Sequence, residues 1–145
     1  MRDVAYIALG SNLGDRQRHL EIARESIARL PASRLIGVTP VEETEPMGPP
    51  GQSPYLNQML AIETELEPHA LLAALQEIES LAGRVRRERW GPRTLDLDIV
   101  TFEHQRVSDD QLVVPHPELG ARDFWRRELA ALRVGMVEAT EDPQP

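Results

Sequence analysis

Leu95-Asp96-Leu97-Asp98-Ile99-Val100-Thr101-Phe102 alternates apolar and acidic side chains and then becomes wholly apolar. A short run of this kind, rich in β-formers, reads as a strand. Residues two apart on a strand point to the same face, so Leu95, Leu97 and Ile99 are expected in the core. Asp96 and Asp98 then face outward together, roughly 6.5 to 7 Å apart along the chain. Aspartate is depleted in strands, and two like charges side by side repel. The pair therefore calls for positive charge. Magnesium suits it, because this ion takes hard oxygen ligands and completes its shell with waters and substrate phosphates. A solvated strand face with arginines nearby would satisfy the pair as well, and the two aspartates alone leave both readings open.

Working outward, Asp3 to Leu9 reads as a buried strand, followed by a turn cluster at Gly10-Ser11-Asn12-Leu13-Gly14-Asp15. Leu20, Ala23, Ile27 and Leu30 recur at helical spacing, with Asp15 near the helix start and Pro31 as the stop. Leu35 to Glu43 reads as a second strand and Tyr55 to Leu66 as a third. Between them Glu45 to Pro54 is dense in Pro and Gly and is expected to be a loop. Pro68 opens a helix whose stripe is Leu71, Leu72, Leu75, Ile78 and Leu81, and Gly83 closes it. After Val107 the chain reads as irregular, with a short helix around Phe124 to Leu132.

The resulting order is strand, helix, strand, strand, helix, strand. The expected class is α+β: a ferredoxin-like βαββαβ sheet with helices on one face and additional C-terminal elements. One domain over residues 1–137 is expected, with 138–145 a polar, disordered tail.

Composition narrows the function. The 145 residues are 41% hydrophobic, enough for a core, and the net charge of -8 disfavours a phosphate-backbone binder. An RNA-binding sheet is further disfavoured by the lack of aromatic-rich strand motifs. With no cysteine, disulfides, zinc-thiolate sites and thiol nucleophiles are excluded. No apolar run approaches membrane-spanning length, and Val4 to Leu9 is too short for a signal peptide, so a cytoplasmic location is expected.

Against this acidic background Arg84, Arg86, Arg87, Arg89 and Arg93 crowd the segment just before the Asp96–Asp98 strand. Carboxylates for metal beside arginines for phosphate are what a nucleoside triphosphate needs. Trp90, next to Gly91-Pro92, suits packing on a planar ligand or closure as a lid. His116 lies between Pro115 and Pro117, so its imidazole is presented in one direction, toward a phosphate or a structural hydrogen bond.

Taken together these residues resemble the hydroxymethyldihydropterin pyrophosphokinases of folate biosynthesis. The blocks are Ala8-Leu9-Gly10-Ser11-Asn12-Leu13-Gly14, Tyr55-Leu56-Asn57, Gly83-Arg84-Val85-Arg86, Arg89-Trp90-Gly91-Pro92-Arg93-Thr94-Leu95-Asp96-Leu97-Asp98-Ile99 and Val114-Pro115-His116-Pro117, in the family's order. The resemblance implies transfer of pyrophosphate from Mg-ATP to a hydroxymethylpterin, with AMP leaving. It implies two magnesium ions on Asp96 and Asp98, and Arg84 and Arg93 on the phosphates. Arg86, Arg89 and His116 would contact the nucleotide, with Gln76, Glu79 and Ile99 nearer the adenosine and Arg122 at the phosphate or lid side. Thr44, Met47 and Asn57 would read the pterin edge, Tyr55 and Phe124 would stack on its faces, and Trp90 would close over the site. The implied partners are small molecules, ATP and a pterin, with no nucleic acid or membrane, and the implied state is a monomer. The chain departs from the family pattern in three places. Glu45 stands where proline is usual, one residue is missing between Arg87 and Glu88, and Trp125-Arg126-Arg127-Glu128-Leu129 replaces an apolar Val-Leu-x-Pro-Leu type segment.

Overall fold

The computed structural model describes residues 2–45, 54–82 and 95–141. Along the chain run β1 (Asp3–Ser11), α1 (Arg16–Ala28), β2 (Ser33–Val38), β3 (Glu42–Thr44) and β4 (Tyr55–Thr64). There follow α2 (Pro68–Leu81), β5 (Asp96–Phe102), β6 (Val107–Ser108), β7 (Val113–Val114), a 3-10 turn at Leu119–Ala121 and α3 (Asp123–Glu141). The class is α+β. The main sheet has the order β2-β4-β1-β5, with β3 also on β4, and its described pairs are antiparallel.

Local signals place the first two helices where expected. Asp15 caps α1 by accepting from the Arg18 amide at 3.1 Å, satisfying a donor that the first turn leaves orphaned. Pro68 occupies the first turn of α2, where its missing N–H costs nothing. Both helices bury their stripes on one sheet face. Leu20, Ala23 and Ile27 of α1 and Leu71, Leu75 and Ile78 of α2 pack against Ile7, Leu9, Leu60, Leu97 and Ile99. Each fully buried leucine here contributes about 2 kcal/mol of hydrophobic transfer.

The other face is where expectation and structure part. Rather than a short helix added beside a one-sided sheet, α3 runs Asp123–Glu141 and covers that second face. Its Trp125, Leu129 and Leu132 pack on Tyr6, Ala8, Met59, Ala61 and Val100. The reason is that β1, β4 and β5 are apolar on both sides, and an uncovered apolar face is unfavourable. The helix passes the expected domain limit at residue 137, and 142–145 lie outside the described residues.

Two smaller differences have local causes. The expected strand Leu35 to Glu43 is split into β2 and β3 around Thr39-Pro40-Val41. Pro40 cannot donate to a ladder, and Thr39 is tied to β4 by its own bonds: its amide donates to Met59 O, and its hydroxyl accepts from Met59 N. The stretch after Val107 holds a small hairpin, β6 with β7, turned by Asp109, whose carboxylate accepts from the Gln111 and Leu112 amides. Among the described residues no helix is long and apolar enough to cross a membrane.

Candidate active site

Directly paired residues on neighbouring strands share a face. One such row crosses four strands: Glu42 on β3, Asn57 on β4, Gly10 on β1 and Asp96 on β5. The next row is Met59, Ala8 and Asp98. Since Met59 and Ala8 pack under α3, both aspartates lie on the α3 side of the sheet. Leu97 and Ile99 point the other way into the α1–α2 core, as the alternation requires.

Gly10 belongs to β1 rather than to a turn. A β-carbon there would meet Tyr55 Cδ1 at 3.3 Å and Asn57 Oδ1 at 3.4 Å. Gly10 is thus a bare floor between Asp96 and Asn57, which stand two inter-strand spacings or roughly 10 Å apart. At the Asn57 end, Asn57 Nδ2 donates to Thr44 Oγ1 at 2.5 Å. Asn57 is buried and Tyr55 half-buried. This edge offers a carboxamide and a hydroxyl, able to donate and accept.

At the aspartate end, Asp98 keeps 39% of its side chain exposed, so its oxygens are reachable from solvent. Two carboxylates on one face of a strand form a hard-oxygen donor pair. Among the described residues no cluster of three or more His, Cys, Asp or Glu could form an all-protein metal cage. That donor set fits magnesium, which binds through one or two carboxylates and takes its remaining ligands from water and phosphate.

His116 stands beside this pair. Its amide donates to Val100 O at 2.8 Å, anchoring it to β5. Its Nδ1 accepts from the Glu118 amide at 3.0 Å, which directs Nε2 outward as the donor. Nε2 lies 3.6 Å from Asp98 Oδ1, an ion-pair separation and too long for a direct hydrogen bond. Arg122 is held by the Glu118 carboxylate, at 3.0 Å from Nε and 2.7 Å from Nη2. Phe124, half-buried, opens α3 next to Trp125, with ring centroids 6.3 Å apart.

The structure therefore brings Thr44, Tyr55, Asn57, Asp96, Asp98 and His116 to one sheet face, with Arg122 and Phe124 where α3 begins. Ile99 faces the opposite core. Gln76 is exposed on α2. Glu79, also on α2, is buried, and its Oε2 accepts the Leu97 amide at 2.7 Å. Met47, Arg84, Arg86, Arg89, Trp90 and Arg93 lie outside the described residues, as does most of the Glu45 to Pro54 segment.

Glu79 has a consequence for the aspartates. Leu97 sits between them on a strand at the end of the sheet order, and a buried carboxylate holds its amide. Glu79→Ala is expected to cost about 2 kcal/mol, since a hydrogen bond to a charged acceptor is lost and a buried donor is orphaned. Glu79→Gln keeps an oxygen acceptor and should recover part of that loss. Urea unfolding of the three proteins measures it, and equal midpoints would refute the role.

Sequence reasoning missed two residues that shape this corner, Glu118 and Trp125. Trp125 was legible in part, because Trp125, Leu129 and Leu132 follow helical i, i+4, i+7 spacing. Glu118 carried no signal, since its partners are set by the 3-10 turn that follows it.

A family model described as 7,8-dihydro-6-hydroxymethylpterin-pyrophosphokinase (HPPK) matches residues 6–134. The chain is similar to a Bacillus subtilis 2-amino-4-hydroxy-6-hydroxymethyldihydropteridine pyrophosphokinase, 44% identical over 135 residues, 91% of this chain and 79% of that protein. It is 46% identical to the Pseudomonas aeruginosa protein of the same name over 127 residues, 88% of this chain and 78% of that one. It also matches the folic acid synthesis protein fol1 of Schizosaccharomyces pombe, 38% identical over 134 residues, which cover 92% of this chain and 18% of that longer protein.

Proposed function

The chain belongs to the 7,8-dihydro-6-hydroxymethylpterin-pyrophosphokinase family, and we propose that the sheet face from Asn57 across Gly10 to Asp96 and Asp98 is where its reaction takes place. The protein is an ATP-dependent transferase of folate biosynthesis. It moves pyrophosphate from ATP to the hydroxymethyl group of 6-hydroxymethyl-7,8-dihydropterin. A bond forms between the hydroxymethyl oxygen and the β-phosphorus. The bond from that phosphorus to the oxygen bridging to the α-phosphate breaks, and AMP leaves with that oxygen.

The observation that carries the placement is the row Asn57–Gly10–Asp96, with Asp98 one pair along on the same face. Asn57 and Thr44 read the polar edge of the pterin, and Tyr55 and Phe124 offer their rings to its faces. Gly10 leaves the floor between the two ends bare. Asp96 and Asp98 would hold two magnesium ions together with the ATP phosphates. Bound there, magnesium supplies charge neutralisation on the transferring group. His116 Nε2, beside β5, and Arg122, just before α3, donate to the nucleotide. Arg84 and Arg93 hold phosphates, with Arg86 and Arg89 on the nucleotide, Gln76, Glu79 and Ile99 on the adenosine side, Met47 at the pterin edge and Trp90 closing over the site. Transfer of this kind depends on positioning and charge, so a strong general base is not required.

The β2-β4-β1-β5 order, with α1 and α2 on one face, supports reading the sheet as ferredoxin-like, with α3 added on the second face. We take the protein to be a cytoplasmic monomer that acts on small molecules without a membrane partner; the net charge of -8 supports the monomer and the absence of a nucleic-acid partner.

The test is AMP release from ATP by the purified protein, with and without 6-hydroxymethyl-7,8-dihydropterin and magnesium. AMP is expected only with the pterin, and to vanish with a chelator. A folded protein that releases none would be a nucleotide-binding relative without turnover.

A further inference from the structure

The segment that departs from the family pattern after Phe124 brings a large aromatic residue under the nucleotide end of the site. Trp125 is 2% exposed, although it lies beside the half-buried Phe124. Its ring meets the His116 ring edge-on, centroids 4.9 Å apart and planes at 88°. The Arg122 guanidinium carbon lies 4.5 Å from the Trp125 ring centroid. Two groups that face the phosphates thus rest on one indole. Glu118 engages both as well: its amide binds His116 Nδ1, and one carboxylate oxygen binds Arg122 through Nε and Nη2.

We infer that Trp125 is a positioning residue for ATP binding, acting through His116 and Arg122. An edge-on aromatic contact fixes the plane of the imidazole. A guanidinium over an indole face is attracted by the ring quadrupole, and the N–H groups that Glu118 does not bind stay in the plane, directed away from the ring toward a phosphate. Glu118 holds each group from one side by hydrogen bonds through a single atom, and Trp125 adds packing against the ring and guanidinium planes. Preorganised donors bind more tightly because less rotamer freedom is lost on binding. The indole sits on Leu129 and Ala8 within the second core, so its own orientation is set by the packing of α3 on the sheet. The inference rests on the proposal that His116 and Arg122 meet the nucleotide.

The experiment measures binding of magnesium and α,β-methylene-ATP by calorimetry. The proteins are the native chain, Trp125→Phe, Trp125→Leu, the double variant His116→Ala/Arg122→Ala, and that double variant carrying Trp125→Leu. Trp125→Leu is expected to weaken binding about tenfold, while Trp125→Phe, which keeps a ring edge and face, stays within about threefold. In the double variant Trp125→Leu should add nothing, because coupled residues are not additive. Native affinity in Trp125→Leu, or an undiminished loss in the double variant, overturns the inference. Thermal unfolding of each variant separates a loss of fold from a loss of orientation. If the double variant itself binds like the native chain, the nucleotide roles of His116 and Arg122 fail. The His116 ring nitrogen spectrum then decides the positioning claim alone. A single set of His116 ring signals that broadens or splits in Trp125→Leu supports it, and an unchanged spectrum overturns it.

Discussion

Asp96→Ala and Asp98→Ala are each expected to lower turnover by about a thousandfold or more, the loss that follows when a charge-neutralising centre on a phosphoryl group is removed. Both side chains lie on one strand face, paired across β1 with Gly10 and Ala8. The neighbours of Asp98 are small and it is partly exposed, so truncation leaves little cavity. Removing one of two like charges from a strand also relieves repulsion and replaces a residue that strands disfavour. The contact from Asp98 to His116, at 3.6 Å and with Asp98 39% exposed, is worth little in water. The thermal midpoint of Asp98→Ala should therefore equal or exceed that of the native chain, while AMP release disappears in both variants. A residue that loses activity and keeps or gains stability is serving the reaction rather than the fold. Near-native turnover in either variant would remove the metal assignment, and unfolding of the variants would make the pair structural.

Glu128→Gln is expected to stabilise the protein, increasingly as pH rises. Glu128 is 4% exposed on α3, and among the described residues neither of its oxygens meets a hydrogen-bond partner in good geometry, the Glu42 carboxylate being close by. Burial first, and the neighbouring Glu42 carboxylate second, push its pKa up to about 8, against the pull of Arg127. Arg127 is itself engaged with Glu42, at 3.2 and 3.1 Å. The folded chain holds a proton that the unfolded chain releases near 4.5, so folding takes up a proton between that pH and about 8. Stability from the neutral carboxyl is fully present below 4.5 and is lost as pH rises through about 8. At pH 7 the glutamine variant should gain about 3 kcal/mol, and at pH 4.5 almost nothing, from about 1.4 kcal/mol per pH unit. Urea unfolding at pH 5, 7 and 8 measures this. Parallel pH profiles for the two proteins would show that Glu128 ionises as readily folded as unfolded.

Much of the site was legible because its signals are local. The alternation from Leu95 to Ile99 placed Asp96 and Asp98 on one face before any partner strand was known, since a strand's period of two is a property of the backbone. Asp15 and Pro68 marked their helix starts for an equally local reason, the orphaned amides of a first turn. The family resemblance assigned Thr44, Tyr55, Asn57 and His116 to one site; the sheet register brings the first three to one face, and the His116 amide ties it to β5 beside them. What was not legible depends on contacts between residues far apart in the chain. The β-carbon space above Gly10 is set by Tyr55 and Asn57, more than forty residues away.

By itself the sequence determined the class of fold, the family and the acidic pair, because periodicity, capping and motif spacing are written in neighbouring residues. Tertiary structure alone decided that α3 covers the second face, that Glu79 holds the amide between the aspartates, that Trp125 supports His116 and Arg122, and that Glu128 is buried beside Glu42. Each of these turns on which surface an amphipathic helix buries and on how far a carboxylate is removed from water. Both quantities exist only once distant segments have packed.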